Sequence, residues 1–308
     1  MQTILGANGQ IAIELAKELN KKYTTDIRLV SRNPQKVNET DQLFTANLLD
    51  PVATSEAVKG SSIAYLTVGL PADTKMWQEQ FPVFMENTIN ACARHNTKLV
   101  FFDNTYMYPQ NNIPLTEETS FAPVGEKGKV RAAVAQALLH AMDIQKVEAV
   151  ICRAPEFYGP DKTKGITQSF IFENVARGKM PKVLLRDDKL RTWIWSPDAS
   201  KATALIGNTP DAYHQTWHLP CDDNRLTYKQ CIALISKVSA KEIEYDVLDK
   251  YFFEEGNSSH SKWKEMLELL PRYEHDNLFV SGKFKNRFPG FAVTGYEEGI
   301  KTILRQIL

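Results

Sequence analysis

Near its start the chain reads Gly6-Ala7-Asn8-Gly9-Gln10-Ile11-Ala12. A short apolar run, Thr3-Ile4-Leu5, precedes it, and a helical pattern with apolar Ile11, Ala12, Leu15, Ala16 and Leu19 follows. A strand, a glycine turn and a helix N-terminus together make an anion site. The glycines let backbone pass close to a pyrophosphate, and free N–H groups with the helix dipole face the negative charge. The spacing is G-x-x-G-x-x-A, with Ala12 as the small residue that keeps the helix against the sheet. Taken alone, such a turn is often only a turn. As the first unit of a repeating strand–helix chain it reads as a dinucleotide site, formed by Gly6, Asn8, Gly9, Gln10 and Ile11.

Working outward, strand and helix patterns alternate through the first half. Strands are expected at Asp26–Val30, Ser62–Val68, Leu99–Phe102 and Ala149–Cys152. Helical stripes fall between them, Phe81, Phe84, Met85, Ile89 and Cys92 in one, and Val130, Val134, Ala137, Leu138 and Ala141 in another. Strands joined by helices of this length imply an α/β Rossmann fold, a doubly wound parallel sheet with right-handed crossovers. After Arg153 the rhythm breaks into shorter elements with more aromatics. The expected organisation is a dinucleotide-binding domain over 1–155, with 187–220 returning to it. A smaller C-terminal substrate-side domain takes mainly 156–186 and 221–308. Thr227 is an expected N-cap for a helix through Ile235.

Composition narrows the class. The chain has 308 residues and 43% hydrophobic content, enough for a full core. Its 37 basic and 37 acidic residues cancel, so no global field attracts nucleic acid or an anionic membrane. No apolar run approaches a membrane span, and the N-terminus enters a strand directly. The four cysteines (Cys92, Cys152, Cys221 and Cys231) form no C-x-x-C pair, which suits free thiols in a reducing compartment. A cytoplasmic protein with a small-molecule substrate is expected, with neither nucleic acid nor membrane as partner and a homodimer allowed. No His/Cys/Asp cluster has metal-ligand spacing, so no metal is expected.

These features together resemble the extended short-chain dehydrogenase/reductase family, in particular its atypical NAD-dependent epimerase/dehydratase members. Gly6-x-x-Gly9-x-x-Ala12 resembles the family's nucleotide turn. Arg153-Ala154-Pro155-Glu156-Phe157-Tyr158-Gly159-Pro160 resembles its R-x-x-N-V-Y-G-P segment, and Arg191-Thr192-Trp193-Ile194-Trp195-Ser196-Pro197-Asp198 its R-x-F-x-x-V-x-D segment. The resemblance covers nearly the whole chain and implies a nicotinamide cofactor. In NAD-specific members an acidic residue ends the second strand; here Ser31 stands there, followed by Arg32. A hydroxyl and a guanidinium suit a 2′-phosphate, so NADP is expected over NAD. Asn47-Leu48 matches the family's Asp-Leu beside the adenine, and Thr67, Val68 and Gly69 end the fourth strand on the cofactor side.

The chemistry departs from the family. Hydride-transferring members use a Ser/Thr before a V-Y-G triplet and a Tyr-x-x-x-Lys on the next helix. Aligning Tyr108 with the triplet's tyrosine puts Asn104 at the Ser/Thr position, with Thr105 beside it. The Y-G-x-x-K pattern then falls on Lys127-Gly128-Lys129-Val130-Arg131. Positions 127 and 131 share one helix face, so a Tyr/Lys pair is replaced by two cations. A lysine serves as a base once a neighbouring cation makes its ammonium easier to deprotonate; otherwise both side chains only bind ribose or phosphate. The candidate proton-transfer residues are Lys127, Asn104, Thr105 and Tyr106, with Arg131 expected to hold the cofactor. Glu156 and Arg191 are the substrate-side candidates; Glu156 replaces an amide with a carboxylate, which disfavours an anionic group there. Arg191 could instead pair with Asp187 or Asp188.

Two functions remain open. One is an NADP-dependent oxidoreductase or epimerase-like enzyme acting on a small polar carbonyl or hydroxyl compound. The other is a non-catalytic NADP-binding redox sensor or regulator of the NmrA-like type. The missing Tyr-x-x-x-Lys favours the second and the full-length substrate side the first.

Overall fold

The structure, a computed structural model, describes residues 1–161, 163–255 and 265–307. Lys162, residues 256–264 and Leu308, all in the region expected to be substrate-side, lie outside the described residues. Seven parallel strands form the central sheet: β1 (Gln2–Leu5), β2 (Ile27–Ser31), β3 (Gln42–Thr45), β4 (Ile63–Leu66), β5 (Lys98–Asp103), β6 (Ala149–Arg153) and β7 (Thr216–His218). Their order is β7-β6-β5-β4-β1-β2-β3. This is the doubly wound arrangement the alternation predicts. Runs such as Leu99-Val100-Phe101 and Val150-Ile151-Cys152 are buried throughout, as strands covered on both faces must be.

Helices α1 (Gln10–Lys22), α2 (Pro51–Val58), α3 (Thr74–His95), α4 (Gly125–Asp143) and α5 (Ser196–Gly207) cover the sheet. One face packs α1 and α5 over Ile4, Leu29, Val100 and Val150. There the Ser200 hydroxyl donates to the Ile11 carbonyl at 3.0 Å. The other packs α2, α3 and α4 over Leu5, Val30, Leu66 and Ile151. A third cluster, including Phe172, Trp193, Ile232, Tyr273 and Ile303, unites α6 (Tyr228–Ser239) and α7 (Tyr296–Ile307) with three short strand pairs. Thr227 caps α6 through a capping box with Gln230. Cys92, Cys152, Cys221 and Cys231 are buried free thiols. Among the described residues no helix is long and apolar enough to cross a membrane, and no His/Cys/Asp/Glu group could hold a metal.

A buried polar chain ties the carboxyl ends of β5, β6 and β7 together. Asp103, at the end of β5, accepts from Arg131 of α4, from Arg153 Nε of β6 at 3.1 Å and from the Asn104 N–H at 2.8 Å. Two guanidiniums face one carboxylate, and the surplus positive charge rests on aromatic faces. Arg131 lies over Phe81 and Phe101, at 4.9 and 5.2 Å, and Arg153 over Tyr108 and Phe121, at 5.0 and 5.1 Å. Arg153 Nη1 donates to the Tyr108 hydroxyl at 2.7 Å, and that hydroxyl meets His218 Nε2 at 2.6 Å. His218 Nδ1 donates to the Val280 carbonyl at 2.8 Å, which leaves Nε2 as the acceptor.

Burial and then the Arg153 charge push His218 down from 6.5 to about 3, so it stays neutral in the fold. An unfolded chain binds a proton on His218 below pH 6.5 that the folded chain refuses until about pH 3. Stability should therefore fall as pH drops through that window. Urea unfolding at several pH values should show the loss, and His218→Gln should flatten that part of the slope; an unchanged slope in the variant would assign it elsewhere. Removing the partner that leaves a buried charge uncompensated typically costs about 3–5 kcal/mol, so Asp103→Ala, which strands Arg131 and Arg153, should lower the unfolding midpoint sharply, and more than Arg131→Ala, which leaves the Asp103–Arg153 pair intact.

Candidate functional site

In an open parallel sheet the ligand crevice lies beyond the carboxyl ends of the strands, where the strand order reverses. Here the reversal falls between β1 and β4. The crevice has two ends, the one at β1–β3 expected to take the nucleotide and the one at β4–β6 expected to take the substrate, and they differ in character.

The nucleotide end is built from backbone and is open. Gly6 has φ +95°, and a Cβ there would lie 2.9 Å from the Val68 backbone, so this glycine is required by the turn itself. Gly9, which ends the turn at the start of α1, has no neighbour closer to a Cβ position than the Gly6 carbonyl at 4.0 Å. Asn8 and Gly9 are exposed, and Gln10 Nε2 is a buried donor with no partner. Open space above a helix start, with an orphaned donor beside it, fits a pyrophosphate. Ile11 sits half-buried against the core. The Asn8 side-chain amide donates to the Asn33 carbonyl at 2.8 Å, which fastens the turn to the loop after β2. In that loop Ser31 Oγ accepts from the Asn33 N–H at 3.2 Å, and Arg32 stands in solvent. Asn47 is exposed, its Oδ1 accepting from the Leu49 N–H at 3.2 Å, and Leu48 is buried beneath. Thr67 donates to the Leu5 carbonyl at 3.1 Å, and Gly69 faces open space.

The substrate end is built from side chains and is filled by the protein itself. Lys127 is 1% exposed. Its ammonium donates to the Thr74 hydroxyl at 2.7 Å and to the carboxylates of Glu265 and Glu268. An ammonium with all three N–H groups committed offers no lone pair to a substrate proton. Burial raises the Glu265 carboxyl, but bonds from Lys127 and Thr74 outweigh it and hold that carboxyl below 4.5. Glu268 also accepts from the N–H groups of Glu126, at 2.7 Å, and Lys127, at 3.3 Å. It is therefore the N-terminal cap of α4, whose own Val124 has no capping side chain. That supplied cap lets α4 start at Gly125, ahead of its apolar stripe, which begins at Val130. Gly125, at φ +77°, leaves the room: a Cβ there would sit 2.6 Å from Glu268 Oε2.

Arg272 extends the same contact. Its guanidinium donates to Thr105 Oγ1 at 3.1 Å and lies 4.6 Å from the Tyr106 ring centroid. Tyr106 in turn stacks on Trp77 at 5.9 Å. Asn104 Oδ1 accepts from the Tyr106 N–H at 3.0 Å. Further along, Glu156 accepts from the N–H and hydroxyl of Thr167, at 2.8 and 2.7 Å, and from Tyr273 at 3.4 Å. Arg191 pairs with Glu156 at 3.8 Å and donates to the carbonyls of Arg272 and His275, at 2.9 and 3.2 Å. It is Arg186 that pairs with Asp188. About 30 Å³ stays empty between Thr105, Tyr106, Tyr108 and the segment Arg272–Asn277. The roomier concavities lie elsewhere, about 490 Å³ where α3 and α4 end and about 520 Å³ between 220–224 and 284–295.

The structure thus brings Thr105, Tyr106 and Lys127 to one crevice and Glu156 to Arg191. Arg131 it turns inward onto Asp103. Sequence reasoning passed over Asp103, Thr74, Glu265, Glu268, Arg272 and Tyr273. For most, the only available signals were a Gly125 just before Lys127 and the E-x-x-E spacing of 265 and 268.

The sequence profile of the NAD dependent epimerase/dehydratase family matches residues 3–218. No curated protein matches the chain in sequence. Among solved structures, it is similar to a UDP-glucuronic acid 4-epimerase from Bacillus cereus in complex with NAD, with a TM-score of 0.80, 13% identity and all of both chains covered. It is also similar to the UDP-glucose 4-epimerase of Thermus thermophilus in complex with NAD, with a TM-score of 0.78 and 14% identity over 100% of this chain and 99% of that one. The Bordetella bronchiseptica enzyme WbmH in complex with NAD+ gives 0.75 and 16%, covering 99% and 97%. At such identities the likeness shows the fold. The profile match, across more than two thirds of the length, shows that the chain belongs to the NAD-dependent epimerase/dehydratase family.

Proposed function

We propose that this chain binds NADP and acts as an oxidoreductase or epimerase-like enzyme on a small polar carbonyl or hydroxyl compound, using a non-standard site. One observation carries the reading: exposed Asn8 and Gly9 and the unpartnered Gln10 Nε2 stand at the start of α1, whereas about 30 Å³ is left beside Thr105 and Tyr106. Gly6, Asn8, Gly9, Gln10 and Ile11 would hold the pyrophosphate. Ser31 and Arg32 would hold the 2′-phosphate, Asn47 and Leu48 the adenine, and Thr67, Val68 and Gly69 would flank the middle of the cofactor. When bound, the nicotinamide supplies or accepts hydride. Thr105 and Tyr106 then lie nearest the residual space and would position the substrate oxygen and its proton, with Asn104 fixing the Tyr106 backbone. Lys127 joins that chemistry only in a state where Glu265 and Glu268 have moved away. Arg131 supports the wall of the site through Asp103.

The similar structures named above are all in complex with NAD, and two are UDP-sugar 4-epimerases by name; a sugar nucleotide suits this chain poorly. Arg191 already serves two carbonyls and Glu156, whose carboxylate would repel a diphosphate. A non-catalytic NADP-binding regulator of the NmrA-like type is the second reading, favoured by the complete commitment of Lys127.

NADPH should bind more tightly than NADH in fluorescence titrations, and Arg32→Ala should weaken NADPH alone. Equal affinities for the two cofactors would remove the NADP assignment. The two glycines of the turn should separate stability from binding. Gly6→Ala should lower the melting temperature, because its φ and the Val68 backbone leave no room. Gly9→Val should fold with normal circular dichroism and lose the dinucleotide; retained affinity would mean that the turn is not the site. Loss of NADPH absorbance with a panel of small aldehydes and ketones separates the enzyme from the regulator, since a regulator turns over none of them.

A further inference from the structure

We propose that the segment Glu265–Asn277 is an autoinhibitory strap that closes the substrate end of the crevice and must swing away before Lys127 can meet a ligand. The proposal rests on the reading that this crevice is the substrate site. It concerns the regulation of that site rather than its chemistry.

The strap touches the substrate end along its whole length. Glu265 and Glu268 hold Thr74 and Lys127, Arg272 holds Thr105 and Tyr106, and Tyr273 reaches Glu156. The two sides of the strap are held by different forces. Towards the C-terminal region its grip is apolar: Leu270 and Tyr273 are buried in the third cluster, with Met266 and Leu267 packed against it. Towards the sheet its grip is mainly hydrogen bonds and ion pairs, and the carboxylate side chains that make them keep 24% and 20% exposure.

That asymmetry decides which side opens. Water cannot replace what a buried leucine or aromatic side chain gains from leaving it, and pulling the strap from the C-terminal cluster would forfeit several such burials. On the sheet side opening returns the partly exposed carboxylates and the Lys127 ammonium to water, which replaces the bonds they lose. The strap therefore stays with the C-terminal region and parts from α3 and α4, as a hinge between two bodies does. Parting removes the α4 cap, uncovers Lys127 and enlarges the space beside Thr105. Glu265 and Glu268 lie beyond residue 218, outside the part of the chain that the family profile matches.

Amine acylation with sulfosuccinimidyl acetate, read residue by residue by mass spectrometry, tests the strap without needing a cofactor or substrate. In the intact chain Lys127 should react far more slowly than Lys129, whose side chain on the same helix is 61% exposed. Gly125→Ala leaves every charged group in place and drives a Cβ into Glu268. It should raise Lys127 acylation about fivefold or more, as expected for an opening equilibrium shifted by one such contact. Hydrogen exchange over 265–277 should quicken while β4–β6 remain protected. Arg272→Ala, which removes the strap's other grip, should do the same from a position remote from Lys127. Rapid acylation of Lys127 in the intact chain, or unchanged acylation and exchange in both variants, would overturn the proposal. NADPH titration of the same variants keeps the two readings apart. A chain that binds no NADPH fails the proposed function, while its acylation pattern still decides the strap.

Discussion

The carboxyl edge of the sheet is organised around the carboxylate of Asp103. It ends β5, is wholly buried, and binds guanidiniums from α4 and β6 at once. Without it, two arginines would sit uncompensated in an aromatic interior, at a cost that cation–π contacts of about 0.5–2 kcal/mol each could not offset. With it, α4 is held at one rotation about its axis. That rotation sends Arg131 inward and leaves Lys127, one turn earlier, at the crevice. The same anchor fixes Arg153, which orders Tyr108 and through it His218 and the chain at Val280. Arg131, expected to hold a cofactor, bonds Asp103 and so belongs to this scaffold.

The fold was legible because its signals are local. Apolar runs of strand length, stripes at helical spacing and the glycine turn at Gly6–Gly9 each follow from a few neighbouring residues. The capping box at Thr227 and Gln230 was legible in part, through its threonine. The turn at the start of α1 could be read for the same reason, since backbone and two glycines make it. The substrate end could not. Lys127 meets Glu268 across 141 positions of chain, and Arg272 meets Thr105 across 167. No periodicity encodes such a meeting. Arg191 shows the limit well: its nearest acidic residues in sequence, Asp187 and Asp188, are not its partners, and Glu156 is.

Members of a family can keep a scaffold while changing what its shared positions do, because a site is a small constellation placed on a large fold. Here the two ends of one crevice illustrate this differently. The nucleotide end follows the family's pattern, departing mainly at Ser31 and Arg32. At the other end Lys127 and Arg131, the residues expected where the family carries Tyr-x-x-x-Lys, are cations that the protein itself neutralises.

The hydrogen bond from Asn8 to the Asn33 carbonyl reaches beyond holding a loop in place. It makes a side chain of the pyrophosphate turn a structural member of the loop that carries Arg32. Substitutions at the two places therefore share a partner, and their energetic effects should not add. Redesigning the preference for one dinucleotide over another at the end of β2 alone would leave the loop posed by Asn8. A successful exchange of specificity has to treat the first and second βα turns as a single unit.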